Sequence, residues 1–512
     1  MKTLRVRWMG RVGYDEALAL QRAIHAHATD DYLLLLEHPH TYTLGKRADR
    51  SHVLVDPASV GADLIETDRG GDVTYHGPGQ LVGYPIGDLV ESPAGMRDVV
   101  AHVRRIEDAL IAALGEFGIA GARVEGRSGV WIGDEKIAAI GVRVARGRTM
   151  HGFALNVDCD LGMFDHIVPC GITDAGVTSM AAQLGAAPDR AAVIDAVTRA
   201  WAASSRALQV ETAAVSDARI DPGPGVGPGR RPEWMRVRAD LGPEYRRMER
   251  LVADQELHTV CQEAGCPNIY ECWSQRTATF MILGDRCTRA CGFCLVDTRK
   301  PFPIDPGEPA RVAAAVESLG LAHAVITSVA RDDVADGGAG GFAATIAAVR
   351  ERNPATTIEV LIPDCKGEAA ALEVLFAARP DVLNHNLETV ARLQRVARPS
   401  AGYARSLGVL GRAKASGLVT KSGIILGMGE ETAEVRAAIA DLRAVGVDIL
   451  TLGQYLRPSA DHLPVARWVT PDEFAELGAY ARSLGFAHVE SGPLVRSSYH
   501  ARDGADVALV TT

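Results

Sequence analysis

The chain has 512 residues, too many for one hydrophobic core, so two or more domains are expected. Hydrophobic residues make up 47% and charged residues 23%, the balance of a soluble globular protein, and no stretch is long and apolar enough to span a bilayer. A net charge of -10 and a pI near 5.9 disfavour bulk nucleic-acid binding, so neither nucleic acid nor membrane is an expected partner.

The N-terminus, MKTLRVRWMG, lacks the apolar core of a secretory signal. Nine cysteines without an export signal point to a reducing, cytoplasmic compartment, where clustered thiols serve as metal ligands or nucleophiles more often than as disulfides. In chain order, YLLLLEH (Tyr32 to His38) predicts a buried strand. Ala101 to Phe117, with Val103, Ile106, Leu110, Leu114 and Phe117 on one stripe, predicts an amphipathic helix. Three strand-like runs follow, GVWIG, KIAAIGVRVA and MHGFALNV, joined by short turns. Strands segregated from helices predict an α+β sheet domain over residues 1–212. Pro and Gly then dominate IDPGPGVGPGRRPEW (Ile220 to Trp234), and the linker is set at 213–233.

Beyond it, strand-like runs (TATFMIL, HAVITSV, TTIEVLIP, DVLNHNLE, VTKSGIILG, DILTLGQYL, FAHVES) alternate with helix-like runs such as RVAAAVESLG and ETAEVRAAIADLRAVG. Continuous apolar strands between helices predict an α/β domain over 234–512, its parallel sheet an open doubly wound one or a full or partial TIM-type barrel, with 234–276 as an extension ahead of it. In a barrel, chemistry gathers at the C-terminal strand ends. Those ends carry Arg331-Asp332-Asp333, Asp364, Asn386 with Glu388, Gly429-Glu430 and Arg457.

Just after the first of these strands come Cys287, Cys291 and Cys294, spaced C-x3-C-x2-C. A structural zinc knuckle is a weak reading, because zinc modules pair CxxC units and close at four ligands. Three thiolates on one loop suit an iron–sulfur cube with one iron left open. The spacing resembles the radical S-adenosylmethionine superfamily. That resemblance implies a [4Fe-4S] cluster whose open iron is chelated by S-adenosylmethionine and which releases a 5′-deoxyadenosyl radical.

A second triad, Cys261, Cys266 and Cys272, is spaced C-x4-C-x5-C; alone it reads equally as core or as a metal clip. With the C-terminal VRSSYHA it closely resembles the lipoyl synthase family, over Arg231 to His500. The resemblance implies a second, auxiliary [4Fe-4S] cluster on this triad, with Ser498 as fourth ligand and Ser497 as the alternative. It implies sulfur insertion at carbons six and eight of a protein-bound octanoyl chain, with the auxiliary cluster as sulfur source and two molecules of S-adenosylmethionine used per lipoyl group. A hydroxyl is a harder and more readily released ligand than a thiolate, which suits a cluster that must be labile. Asn386, Glu388 and Arg457 are the expected contacts to S-adenosylmethionine, each read equally well as an ion pair or a strand-end cap. Cys365 fits no ligand spacing and reads as a small buried residue. GGAGG at Gly337 reads as a tight turn and helix start rather than a phosphate loop.

In the first half the most distinctive segment is RGGDVTYHGPGQ, Arg69 to Gln80, whose glycines allow close backbone approach to a ligand. With KIAAIGVR, HGFALN and VPCGI it resembles the lipoyl(octanoyl) transferases, related in fold to the biotin and lipoate protein ligases, over roughly residues 1 to 210. The resemblance implies that Cys170 takes an octanoyl group from octanoyl-acyl carrier protein as a thioester and passes it to a carrier lysine. It sets Lys136 as the partner that lowers the thiol's pKa and shuttles the proton. A thiol must ionise to attack, and a nearby ammonium favours that. The acyl chain is expected along Arg69, Gly70, Gly71, Asp72, Val73, Thr74, Tyr75 and His76, then Ala139, Ile140 and Gly141, and Gly152, Phe153 and Ala154. Cys159 reads as structural. An ATP-dependent ligase needs no nucleophilic cysteine, so Cys170 separates the two activities.

The whole therefore reads as a fused acyltransferase and sulfurtransferase carrying consecutive steps, with handover of the octanoylated carrier between them. The implied partners are octanoyl-acyl carrier protein, the lipoyl domains of 2-oxoacid dehydrogenases, the glycine cleavage H protein, and a ferredoxin or flavodoxin as electron donor. Because such carriers are acidic, a basic docking strip is expected at Arg143 to Arg148, beside Lys136. Other readings are a chain with one inactive half, a non-catalytic lipoate-binding and metal-clip scaffold, or a different radical enzyme such as a methylthiotransferase or biotin synthase. The C-x4-C-x5-C and RSSY combination argues against the last.

Overall fold

The structure, a computed structural model, describes residues 2–89, 98–169, 175–205, 209–214, 230–236, 241–255, 257–263, 265–274 and 279–511. It divides into two compact units, Met1–Val215 and Ser216–Thr512.

The strands of the first unit are β1 (Thr3–Arg11), β2 (Asp31–Glu37), β3 (Thr41–Leu44), β4 (Asp63–Glu66), β5 (Val73–His76), β6 (Gln80–Ile86), β7 (Ala122–Val124), β8 (Arg127–Ile132), β9 (Glu135–Ala145), β10 (Arg148–Asn156), β11 (Gly176–Val177) and β12 (Gln209–Ala214). They form a mixed sheet in the order β12-β1-β2-β6-β10-β9-β8-β7, with β11 against β9, and a small sheet β4-β3-β5. The expected α+β domain is what forms. Asp98 caps the helix Val99–Gly115 by accepting from the N–H groups of Val100 and Ala101. Its stripe of Ile106, Leu110 and Leu114 is buried in one core with Leu33 and Leu35 of β2, Phe153 and Leu155 of β10, and Val193 and Trp201 of the helix Arg190–Ser204. At the sheet edge, Arg5 and Arg7 of β1 both pair with Glu211 of β12, holding the last strand in parallel register.

The second unit continues with β13 (His258–Thr259), β14 (Thr279–Ile282), β15 (His323–Ser328), β16 (Thr357–Leu361), β17 (Val382–Asn384), β18 (Val419–Leu426), β19 (Ile449–Gln454) and β20 (His488–Ser491), paired in sequence order. β13 is antiparallel to β14 and every later pairing is parallel. Helices Glu308–Leu319, Ala339–Arg352, Ala369–Ala377, Tyr403–Ala415, Thr432–Ala444 and Pro471–Ser483 each connect one parallel strand to the next. This repeated crossover makes a partial α/β barrel, and its strands read as unbroken apolar runs because helices cover them. Gly337 and Gly338 adopt positive φ and start the helix Ala339–Arg352, the turn the glycines were read as supplying.

Candidate functional site

In the first unit, register brings distant segments together. Gly152, Phe153 and Ala154 of β10 lie directly opposite Gly141, Ile140 and Ala139 of β9. The Arg69–Gly71 turn packs on the same place: Gly70 N–H donates to the Val142 carbonyl (3.0 Å), and a Cβ on Gly141 would come within 2.9 Å of the Gly70 oxygen. Only a glycine surface lets these backbones approach so closely. Arg69, itself buried, donates to the Thr43 carbonyl (2.6 Å) and hydroxyl, fixing the turn from beneath. The result is a cavity of about 460 Å³, in the size range of a small-molecule site.

Lys136 and twelve of the fourteen expected substrate-contacting residues line that cavity; Val73 and Tyr75 do not. The two-residue period of β5 turns Thr74 and His76 into the cavity and sends Val73 and Tyr75 into a separate apolar core with Tyr42 and Phe164. His151, from the HGFALN segment, lines the cavity as well, as do Tyr14, Tyr84, Arg47 and Arg127 from elements the sequence motifs did not include. Lys136 is nearly buried and its Nζ lies 4.8 Å from the centroid of the Trp131 ring. A hydrogen-bond chain runs from His76 Nδ1 to Gln80 Oε1 (2.9 Å), from Gln80 Nε2 to Asn156 Oδ1 (2.9 Å), and from Asn156 Nδ2 to the Thr178 carbonyl (2.9 Å). Thr178 N–H in turn donates to the Lys136 carbonyl. Burial lowers the pKa of His38, behind the cavity, to about 4 and holds those of the lining His76 and His151 below the ordinary value. Cys170 lies outside the described residues. Cys159 is buried, and desolvation pushes its thiol up to about 12.

The expected basic strip is placed differently. Lys136 is near the start of β9 and Arg146 is in the turn beyond its end, roughly 30 Å along the strand at about 3.3 Å per residue. Arg143 is paired with Asp68, and Arg148 with Asp88 at 3.5 Å. An eleven-residue strand therefore separates what looked adjacent in sequence.

In the second unit, the loop after β14 carries Cys287, Cys291 and Cys294. It is clamped on several sides. Cys287 Sγ accepts from the N–H groups of Ala330 (3.3 Å) and Arg289 (3.4 Å). Gly292 N–H donates to the Ala397 carbonyl, and Leu463 N–H to the Gly292 carbonyl. Arg289, between Cys287 and Cys291, makes a two-pronged bond to Asp332 (2.7 and 2.9 Å) and an ion pair with the fully buried Asp364 (2.7 Å). The strand-end acids are thus partly consumed in holding this loop. Desolvation raises the thiols, Cys291 to about 12 and Cys294 upward, with Glu388 acting on both. Glu388 is raised by its own burial, which Arg398 and a hydrogen bond from Asn386 only partly offset. Arg457 turns outward: it is exposed, and its guanidinium donates to the carbonyls of Ala460 and His462. His462 Nε2 bonds the Cys294 carbonyl at 2.8 Å.

The other triad converges. Cys261, Cys266 and Cys272 line one small cavity with Asn268, Thr279, Arg496, Ser498 and Tyr499. Ser497 is engaged elsewhere, bonded by Asn386 Nδ2 at 2.6 Å. Desolvation raises Cys261 to about 11, Cys272 to about 12 and Cys266 upward. Among the described residues no three His, Cys, Asp or Glu side chains close round a point suited to a single metal ion. Three thiols, one buried and two partly buried, and a hydroxyl around one cavity, beside a guanidinium, instead fit a larger anionic group such as an iron–sulfur cluster. Cys365 is buried away from both triads' spacing, as read.

Comparison with known proteins agrees with this division. A family model described as the lipoyl protein ligase A/B catalytic domain matches residues 13–202. One described as the radical SAM superfamily matches residues 281–443. The lipoyl synthase of Mycobacterium ulcerans (strain Agy99) is 57% identical over 272 residues, covering 53% of this chain and 84% of that protein. The lipoyl synthase of Mycobacterium tuberculosis (strain ATCC 25177 / H37Ra) is 56% identical over 272 residues, covering 53% and 88%. Among solved structures, a bi-partite lipoate protein ligase from Thermoplasma acidophilum is 18% identical, covering 42% of this chain and 89% of that one, with a TM-score of 0.35. These relationships support an enzyme of lipoate biosynthesis that uses [4Fe-4S] chemistry and S-adenosylmethionine. The chain belongs to the lipoyl synthases, and it joins their radical S-adenosylmethionine domain to a lipoyl protein ligase A/B catalytic domain in one polypeptide.

Proposed function

We propose that the chain catalyses two consecutive steps: transfer of an octanoyl group from octanoyl-acyl carrier protein to a lysine of a lipoyl domain, then insertion of sulfur at carbons six and eight of that chain. The observation that carries the reading is the meeting of Cys261, Cys266, Cys272 and Ser498 at one cavity, in the same unit as the Cys287 loop.

In the first step the Cys170 thiolate attacks the thioester carbonyl, and the carrier's thiolate leaves with a proton supplied from Lys136. The lysine amine of the lipoyl domain then attacks the new thioester. An amide forms: Lys136, left neutral by the first half, takes the proton the amine gives up, and Cys170 leaves as the thiolate, restoring the starting pair. The cavity takes the apolar tail along its glycine backbone and the apolar side of Ala139, Ile140 and Phe153.

In the second step Cys287, Cys291 and Cys294 would hold one cluster, and Cys261, Cys266, Cys272 and Ser498 another. When bound, the reduced cluster and S-adenosylmethionine supply a carbon-centred radical able to take hydrogen from an unactivated chain, and the auxiliary cluster supplies sulfur. Glu388, half-buried at the strand end, is suited to receive an ammonium, and the buried Asn386 beside it to orient a carboxylate. Ser498 is favoured over Ser497 as the oxygen ligand because Ser497 is already bonded to Asn386. The proposed acceptors are lipoyl domains of 2-oxoacid dehydrogenases and the glycine cleavage H protein, with a ferredoxin or flavodoxin as electron source.

The test is mass spectrometry of a lipoyl domain incubated anaerobically with the full chain, octanoyl-acyl carrier protein, S-adenosylmethionine and a reductant. The expected record is an octanoyl adduct followed by a species carrying two sulfurs in place of two hydrogens. An adduct that never gains sulfur, or none at all, overturns the reading for the corresponding unit.

A further inference from the structure

We propose that Arg496 is the built-in counter-charge of the Cys261–Cys266–Cys272–Ser498 cavity and holds the anionic group bound there. The proposal rests on the reading that these four residues carry a cluster.

Several arginines near the active face of the second unit find carboxylates. Arg289 meets Asp332 and Asp364 at 2.7 Å, Arg331 meets Asp333 at 2.9 Å, and Arg392 meets Glu434 at 2.7 Å. Arg496 does not. It is partly buried, its Nη1 donates to the carbonyl of its own neighbour Val495 at 2.6 Å, and among the described residues no carboxylate lies within ion-pair distance of it. Nearby are the Cys266 thiol and a second guanidinium, Arg231, which adds to the imbalance. A cation drawn out of water without an anion is costly. Arg398, another such arginine, is satisfied by the carbonyls of Asn386 and Leu387 at 3.0 and 3.2 Å, whereas Arg496, among the described residues, has only the carbonyl of its own neighbour.

The chain also holds this guanidinium in place. Asn268 Nδ2 donates to the Leu494 carbonyl (2.8 Å), and Asn386 Nδ2 to Ser497 Oγ (2.6 Å), so the segment is stapled on both sides of Arg496. Beneath it, Gly453 of β19 leaves the necessary space: a Cβ there would lie 2.1 Å from the Val495 oxygen and 3.3 Å from Arg496 Nη1. Three thiolates and a serine oxygen around an iron–sulfur cube leave a net anion. A planar guanidinium with several donors matches such a group in charge and shape. Arg496 thus acts as a positioning residue, through the bound group rather than on the acyl chain.

The test uses the full chain in two states, loaded anaerobically with iron and sulfide, and stripped by chelator. In the loaded state, Arg496→Met is expected to release iron to a chelator roughly tenfold or more faster than the native chain, with Arg496→Lys between them. In the stripped state the order reverses: Arg496→Met melts higher than the native chain, because an unpaired charge has been removed. That reversal separates a counter-charge from a residue that only packs. Equal iron release, or a melting shift of the same sign in both states, overturns the proposal, as does an Arg496→Met chain that fails to fold in both. Should the native chain hold no more iron than Cys261→Ala, the cluster reading itself fails and the proposal falls with it; a normal native iron content with an indifferent Arg496→Met sinks the proposal alone.

Discussion

In the first unit the cavity floor is backbone and buried rings, Gly70, Gly71, Gly141 and Gly152 with His76 and His151, set beside the charged side chains of Arg47, Arg69, Asp72, Arg127 and Lys136. In the second unit the cysteine sites are loops pinned by formal charge: Arg289 on two carboxylates beside one triad, and Arg496 without any beside the other. The contrast follows the chemistry each site is proposed to serve. An apolar tail is best received by surface with nothing to desolvate, whereas thiolate-ligated clusters need cations and a rigid loop.

Cutting that contrast at its most sensitive point should give the largest effect. Cys261→Ala is expected to reduce iron from about eight to about four per chain and to abolish thiolated product, while octanoylation continues. Retained sulfur insertion would mean that the two sites are not divided in this way. Next, Lys136→Ala should slow octanoyl transfer roughly 10²–10⁴-fold, while a lipoyl domain octanoylated beforehand still gains sulfur at the native rate. Loss of both activities together would dissolve the distinction between units. Third, Arg289→Ala leaves Asp364 buried beside a lost partner and should destabilise the second unit by about 3–5 kcal/mol. Calorimetry should show one transition shifted and the first unit's unmoved. Fourth, Gly141→Ala forces a methyl against the Gly70 oxygen and Arg69, at a cost of about 1–3 kcal/mol. The Michaelis constant for the acyl donor should rise with no change in iron content.

The smallest effect concerns acid. A hydrogen bond from His151, aided by the charges of Arg143 and Arg22, outweighs burial and lowers the Asp68 carboxyl from 3.8 to about 2. A group depressed on folding adds stability above its ordinary pKa and loses it as pH falls through the folded value. The first unit should therefore lose about 1 kcal/mol between pH 4 and pH 2, after discounting for solvent screening. Asp68→Asn should remove that part of the acid dependence, read as unfolding midpoints across the window.

Short-range patterns were legible in the chain. Three cysteines within eight residues announce one loop, and apolar runs between helices announce a parallel sheet. Relations set by strand register were harder. Val73 and Tyr75 sit inside a segment that reads as one binding loop, but β5 alternates its faces, so half of the segment points away. Arg143 to Arg148 and Lys136 are close in number yet occupy opposite ends of β9. Arg457 looked like a strand-end contact and instead bonds its own loop, whose His462 braces the Cys294 carbonyl. Arg496 stood in the quoted VRSSYHA, overshadowed by the serines; an arginine without a nearby acid in a motif that supplies a ligand was the available signal.

The pairing of β1 with β12 has a practical edge. Residues 209–214 complete the rim of the first sheet, and Glu211 there answers both Arg5 and Arg7. A break ahead of this strand would strip β1 of its neighbour, take Glu211 from both arginines and leave a sticky border. Anyone severing the polypeptide to compare its parts should place the scissors downstream of Ala214, or the freed piece will clump for reasons unrelated to its chemistry.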